Sequence, residues 1–170
     1  MLSQAETLPV TLDGQLQTAE AYLATGDAKK AQEIAQQLQQ QYPDDAQVLT
    51  LRGKAETALL RFGEAESAFT RAIASPNASP WSKVAYAEML FAAQREDEAF
   101  ARATEAEEQL NELHRLSGEP IREPALYNLL ATLHARRGQN ILAHKYLNLS
   151  LQADPMQPKV RELVQKLVAK

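Results

Sequence analysis

Apolar residues in this chain recur every three to four positions, as in Val48, Leu51, Ala55, Leu59 and Phe62. That period puts one apolar stripe on one face of an α-helix. A longer period lies over the short one. Small residues stand at Ala31, Ala65 and Ala99, each 34 residues from the last, and a second series, Ala19, Gly53 and Ala87, keeps the same step. Ala131 and Ala143 preserve the 12-residue spacing between the two series but arrive 10 residues late. Breakers keep time with them: Pro43, Asn77 and Asn111 are 34 apart, and Pro155 follows 44 later. Two antiparallel helices joined by a tight turn approach closely only where each presents a small side chain. The chain therefore reads as helix pairs over 12–45, 46–79, 80–113 and 124–157. Their internal turns fall at Gly26-Asp27, Arg61-Phe62-Gly63, Gln94-Arg95-Glu96 and Gly138-Gln139-Asn140. Glycine after a helix suits a left-handed C-terminal cap, and Asp27 and Asn140 are expected to cap the helices that follow.

Three segments depart from the plain repeat. Arg52 and Glu56 fall at places of their helix where burial is the rule. Unpaired burial of an ion costs several kcal/mol, so the two are expected to reach solvent or to pair at i,i+4. Residues 114–123 form an insertion, and Leu110, Leu113 and Leu116 carry the helical period past the usual end of the third pair until Ser117-Gly118-Glu119-Pro120 stops it. Pro158 opens a last helix over 158–169, with Val160, Leu163, Val164, Leu167 and Val168 on the face that closes the stack and Lys159, Arg161, Lys166 and Lys170 toward water. Residues 1–11 read as a lead-in to a single domain over 12–170.

A 34-residue helix pair with these small residues, and with Gly-Asp or Phe-Gly-Glu-Ala at the turn, resembles the tetratricopeptide repeat. The segment from Phe62 to Ala72 is similar to the family's second helix, and Ala125 to Ala131 to its first. The resemblance spans 12–157. It implies an all-α fold, a right-handed α–α superhelix (solenoid) of four such helix pairs plus a C-terminal capping helix. The first helix of each pair then lines a concave groove. The lining implied is Asp13, Leu16, Glu20 and Leu23 from the first pair and Thr50, Lys54 and Thr57 from the second. Trp81, Val84, Glu88 and Phe91 follow from the third, and Asn128, Thr132 and Arg136 from the fourth. Trp81 is either a ligand anchor or a wedge against the preceding helix, and Phe91 is either groove or core. Lys54 and Arg136 are either specific contacts or solvated cations. The family's grip on a C-terminal carboxylate uses Lys and Asn at places that here hold Leu16 and Glu20, or Ala125 and Leu129. That mode is not expected.

Composition narrows the class. Charged residues are 24% of the chain, aromatics 6%, and Ala, Leu, Gln and Glu dominate. These are good helix formers, and a sheet-rich fold needs more β-branched and aromatic residues. The net charge of −4 speaks against a general nucleic-acid binder, which carries a basic face. The chain has no cysteine, which removes disulfides, thiolate zinc sites and cysteine nucleophiles. No apolar run approaches the roughly 20 residues that span a bilayer. The start at Met1 lacks the basic and apolar regions of a signal peptide. The cytoplasm is the expected compartment as numbered, and the periplasm if a leader was removed.

Chemistry is sparse. The histidines His114, His134 and His144 form no His-Glu-x-x-His pair, and the six glycines are isolated, so there is no phosphate loop. Neither a catalytic set, a metal site nor a cofactor is expected. The acidic run Glu105, Glu107, Glu108 and Glu112 reads as a solvated helix face. What remains is a surface that mixes polar groups with apolar anchors, as peptide recognition requires. The expected function is a bacterial protein-interaction scaffold that holds a partner peptide or helix, with no nucleic-acid ligand and no membrane insertion. The alternatives are a self-assembling module, for example a homodimer through Leu110, Leu113 and Leu116, and a domain excised from a larger enzyme or envelope protein.

Overall fold

The computed structural model describes residues 11–120 and 122–168. The expectations for residues 1–10, Lys170 and the side chains of Lys166, Leu167 and Val168 lie outside it. The described residues form α-helices and no strand: α1 (Leu12–Ala24), α2 (Ala28–Gln41), α3 (Ala46–Ala58), α4 (Phe62–Ala74), α5 (Pro80–Ala92), α6 (Glu96–Ser117), α7 (Pro124–Arg136), α8 (Asn140–Ala153) and α9 (Pro158–Val168). They fall into two compact units, Met1–Ala78 and Ser79–Lys170.

In the first unit, α1 packs on α2, α2 on α3, α3 on α4, and the two first helices α1 and α3 adjoin. The small-residue series explains the approach: Ala19, Ala31, Gly53 and Ala65 are all buried. Around them Ala35, Leu38, Val48, Leu51 and Ala55 form a core against which Leu12, Leu16, Tyr22, Leu23 and Ile34 pack. The starts of α1, α2 and α3 are capped by side chains, and that of α4 is not. The Thr11 hydroxyl accepts from Gly14 N at 3.1 Å, Asp27 accepts from Lys30 N at 3.4 Å, and Asp45 accepts from Gln47 N at 2.9 Å and Val48 N at 3.1 Å. Asn77 reinforces the last of these, its Oδ1 accepting from Ala46 N at 3.0 Å while its Nδ2 donates to Asp45 at 2.7 Å.

Glu56 is buried, only 2% exposed, and does not reach solvent. Gln32 Nε2 donates to its Oε1 at 2.8 Å, Arg52 lies 4.0 Å away at i,i+4, and Arg61 stands 3.6 Å from its other oxygen. Arg52 in turn donates to Gln39. The sequence pattern held the i,i+4 pairing; it did not hold Gln32 of α2, whose amide helps make the buried carboxylate tolerable.

In the second unit α5 packs on α6, α6 on α7, α7 on α8 and α8 on α9, and the first helices α5 and α7 adjoin. Ala87, Ala99, Ala131 and Ala143 are buried at the close approaches. Helix α6 runs for 22 residues and ends on Gly118, a left-handed cap at φ 73° whose N–H donates to His114 O at 2.8 Å. Asn140 is not a cap, which corrects the expectation: it is the first residue of α8, and Gln139 at the cap position turns its side-chain oxygen to His134 Nδ1–H at 2.6 Å. In α9, Val160 is buried, Val164 is half-buried and Leu163 is 49% exposed, so the closing face is narrower than its apolar pattern. Lys159 and Arg161 are exposed.

All four turns inside the pairs close the same way. The N–H groups of Asp27, Arg61, Arg95 and Gln139 donate to Tyr22, Glu56, Leu90 and His134 carbonyls at 2.8–2.9 Å, the six-to-one bond of a Schellman cap. The residue before each donor has positive φ: Gly26 at 86°, Leu60 at 59°, Gln94 at 65° and Gly138 at 72°.

Candidate functional site

The adjoining helices α1 and α3 place one set of the implied lining residues together. Asp13 and Glu20 are exposed, and Leu16 and Leu23 are half-buried against the core. Lys54 Nζ donates to Glu20 Oε1 at 2.8 Å, one period away. Thr50 and Thr57 are half-buried, and their hydroxyls donate to Ala46 O at 2.6 Å and Gly53 O at 2.7 Å. A hydroxyl that donates to its own helix keeps only acceptor capacity for a ligand.

Helices α5 and α7 assemble the second set. Phe91 is half-buried beneath the Arg136 guanidinium, whose Cζ lies 4.9 Å from the ring centroid. Arg136 also donates to Glu96 at the start of α6. Phe91 is thus neither core nor free ring, but a partly exposed apolar surface under a held cation. Glu88 and Thr132 are exposed, and the Thr132 hydroxyl donates to Asn128 O at 2.8 Å. Asn128 donates to Gln157 Oε1 at 2.9 Å and leaves its buried Oδ1 without a hydrogen bond among the described residues. Trp81 is 49% exposed and turns to the C-terminal end of α6. Val84 is buried and lines nothing: three positions before Ala87, it shares the stripe that faces the core.

Three features escaped the sequence pattern. Glu96 and Asp97 stand 40 residues before Arg136 and Arg137 and pair with them, the second pair at 2.7 Å; that doubled spacing was the available signal. His134, 7% exposed, stacks on Tyr146 with centroids 5.2 Å apart and takes the edge of Phe100 at 5.2 Å. It is a packed core histidine. Tyr146 donates to Glu107 at 2.9 Å, so that part of the acidic run also ties α6 to α8. Burial, then the hydrogen bond and charge of Glu107, pushes the Tyr146 phenol well above its ordinary range. Tyr127 moves the same way, chiefly by burial. Among the described residues no group of three or more His, Asp or Glu could hold a metal, and no helix is long and apolar enough to cross a membrane.

Residues 12–55 match a tetratricopeptide-repeat family model. Solved structures give the wider likeness. A structure of Pseudomonas aeruginosa pilF superimposes with TM-score 0.74 at 19% identity, over 92% of this chain and 67% of that one. The thermophilic protein TTC0263 of Thermus thermophilus, a TPR protein, gives TM-score 0.73 at 17% identity, over 95% and 84%. YrrB, described as a TPR protein with an unusual peptide-binding site, gives 0.60 at 12% identity, over 92% and 75%. No curated protein sequence matches the chain. At these identities the likeness shows the fold, and a bacterial origin is consistent with these neighbours.

Proposed function

We propose that this chain, which has the tetratricopeptide-repeat fold and carries the family's sequence pattern in its first helices, is a protein-interaction scaffold that holds a partner's peptide or helix against its first-helix faces. The fold serves protein–protein interaction in general, and its members are in general not catalysts. The non-catalytic reading of this chain is supported by the packing of His134 on Tyr146 and Phe100 and by the ion pairs that hold Glu20, Glu56, Glu96 and Asp97. The observation that carries the proposal is the Phe91–Arg136–Glu96 arrangement on α5 and α7. An apolar ring is held part-open beneath a cation whose position is fixed by a carboxylate, so little ordering entropy opposes its use as an anchor. The neighbouring hydroxyl and amide donors of Thr132 and Asn128 are spent inside the protein, which leaves apolar contact and charge to supply affinity. YrrB, similar in fold, is described as having a peptide-binding site, which adds support by analogy alone.

The test is capture from a bacterial lysate, comparing wild type with Phe91→Ala/Arg136→Glu at equal helical content. Loss of a specifically retained protein in the variant supports the proposal. Equal retention by both moves the site to another surface.

A further inference from the structure

We propose that the hollow between the first turn of α5 and the last turns of α6 receives one bulky apolar side chain of a partner polypeptide whose flanking residues are basic. The inference rests on the reading of the chain as a polypeptide binder, and it adds a second anchor point with a chemistry of its own. The hollow has a volume of about 120 Å³ and is walled by Trp81, Leu110, Leu113 and His114 from the helices, with Pro120 and Arg122 among the residues closing it. Small-molecule sites run to roughly 300–1,000 Å³, so this space suits a single side chain. Part of its wall is apolar and in contact with water: Trp81 is 49% exposed and Leu113 42%, and Leu116, three residues after Leu113 on α6, is 71% exposed. A half-exposed tryptophan flanked by leucines is the composition of an interface anchor rather than of a resting surface.

The charges around the hollow choose the partner. Its lining carries two carboxylates, Glu119 and Glu123, against one arginine, Arg122. His114 directs its Nδ1–H to the Glu119 carbonyl. The Glu119 carboxylate is exposed and has no partner among the described residues. The excess is negative, so Lys or Arg beside the inserted side chain complements it, whereas Asp or Glu is repelled.

Trp81 is the sole tryptophan of the chain, so its emission reports occupancy directly. The probe is the peptide acetyl-Lys-Lys-Leu-Lys-Lys-amide, beside a version with Ser for Leu and a version with Glu for every Lys. Expected is a saturable blue shift with the first peptide only, weakened by added salt. Leu113→Ser should weaken binding of the first peptide at least about tenfold, the equivalent of 1.4 kcal/mol. Glu119→Lys, an exposed substitution that the fold tolerates, should weaken the Lys-flanked peptide and favour the Glu-flanked one. No shift up to about 1 mM peptide, where binding free energy falls to about −4 kcal/mol, overturns the inference, as do equal shifts with all three peptides. A shift that grows with protein concentration alone also overturns it, by making a second copy the occupant. A chain that loses its captured partner in Phe91→Ala/Arg136→Glu yet shows no Trp81 shift fails this inference alone. Unaltered capture by that variant fails the first-helix reading instead.

Discussion

The tip of the Phe69 ring, on α4, occupies the space where a side chain at Gly53, on α3, would begin: a Cβ built on Gly53 falls 2.7–2.8 Å from three ring carbons. Phe69 is fully buried, so the ring has nowhere to retreat. Gly53→Ala improves helix propensity by about 1 kcal/mol, but overpacking a filled core costs about 1–3 kcal/mol. The expected outcome is net destabilisation in urea unfolding. Gly53→Ala/Phe69→Leu should be less destabilised than the sum of its single variants, because the smaller side chain vacates the collision. Additive effects would mean that the two residues do not meet.

The turn residue Leu60 has φ 59° and is 73% exposed. A left-handed conformation costs an L-residue about 1–2 kcal/mol, and glycine gives back part of that through its freer unfolded chain. Leu60→Gly should therefore stabilise the protein by about 0.5–1 kcal/mol, read as a higher urea midpoint. Gln94→Gly, at φ 65°, should act likewise. An unchanged or lower midpoint in both would contradict the cap geometry.

Glu56 is the buried member of a cluster whose arginines reach water, Arg52 with 29% and Arg61 with 56% of the side chain exposed. Breaking a fully buried pair costs about 3–5 kcal/mol, and an exposed pair is worth under about 1 kcal/mol. Glu56→Ala belongs between, at about 2 kcal/mol of lost stability in denaturant unfolding. A loss within error of zero would show that the carboxylate contributes nothing to the fold.

Tyr146 and Tyr127 have phenols held neutral by burial, their folded pKa values raised above the ordinary 10.0. Below pH 10 both states of the chain keep these protons and the stability is fully present. As pH rises above 10 the unfolded chain releases protons that the folded chain retains, so stability falls. Alkaline unfolding followed by circular dichroism should show this decline. Tyr146→Phe should make it shallower while costing about 1 kcal/mol at neutral pH for the lost bond to Glu107. An identical alkaline slope in the variant would rule out Tyr146 as its source.

The fold was largely legible because it rests on steric periodicity. Ala19, Gly53, Ala87 and Ala131 could be read as close-approach positions from spacing alone, and all are buried. The candidate surface was less so. Val84 is apolar and correctly spaced for a lining position, yet it packs inward, since a spacing of three from Ala87 fits either face at a helix edge. Glu56 was illegible as a buried residue because its partners Gln32 and Arg61 come from other helices and a turn. Pairings between elements, such as Lys54 with Glu20 and Arg136 with Glu96, consume charges that a one-dimensional reading leaves free for a ligand. Leu60 and Gln94 show the same limit locally: the Schellman bond fixes their backbone, although neither residue type announces it.

The binding of a polypeptide on the first-helix faces is tested most directly by site-specific photo-crosslinking in a bacterial lysate. A photoreactive side chain is placed at the exposed first-helix positions Asp13 and Thr132, and separately at the exposed second-helix positions Ser67 and Gln152. Discrete heavier adducts containing a second polypeptide are expected from Asp13 or Thr132 and not from Ser67 or Gln152. Adducts confined to the second-helix positions, or equal from all four, would contradict the assignment.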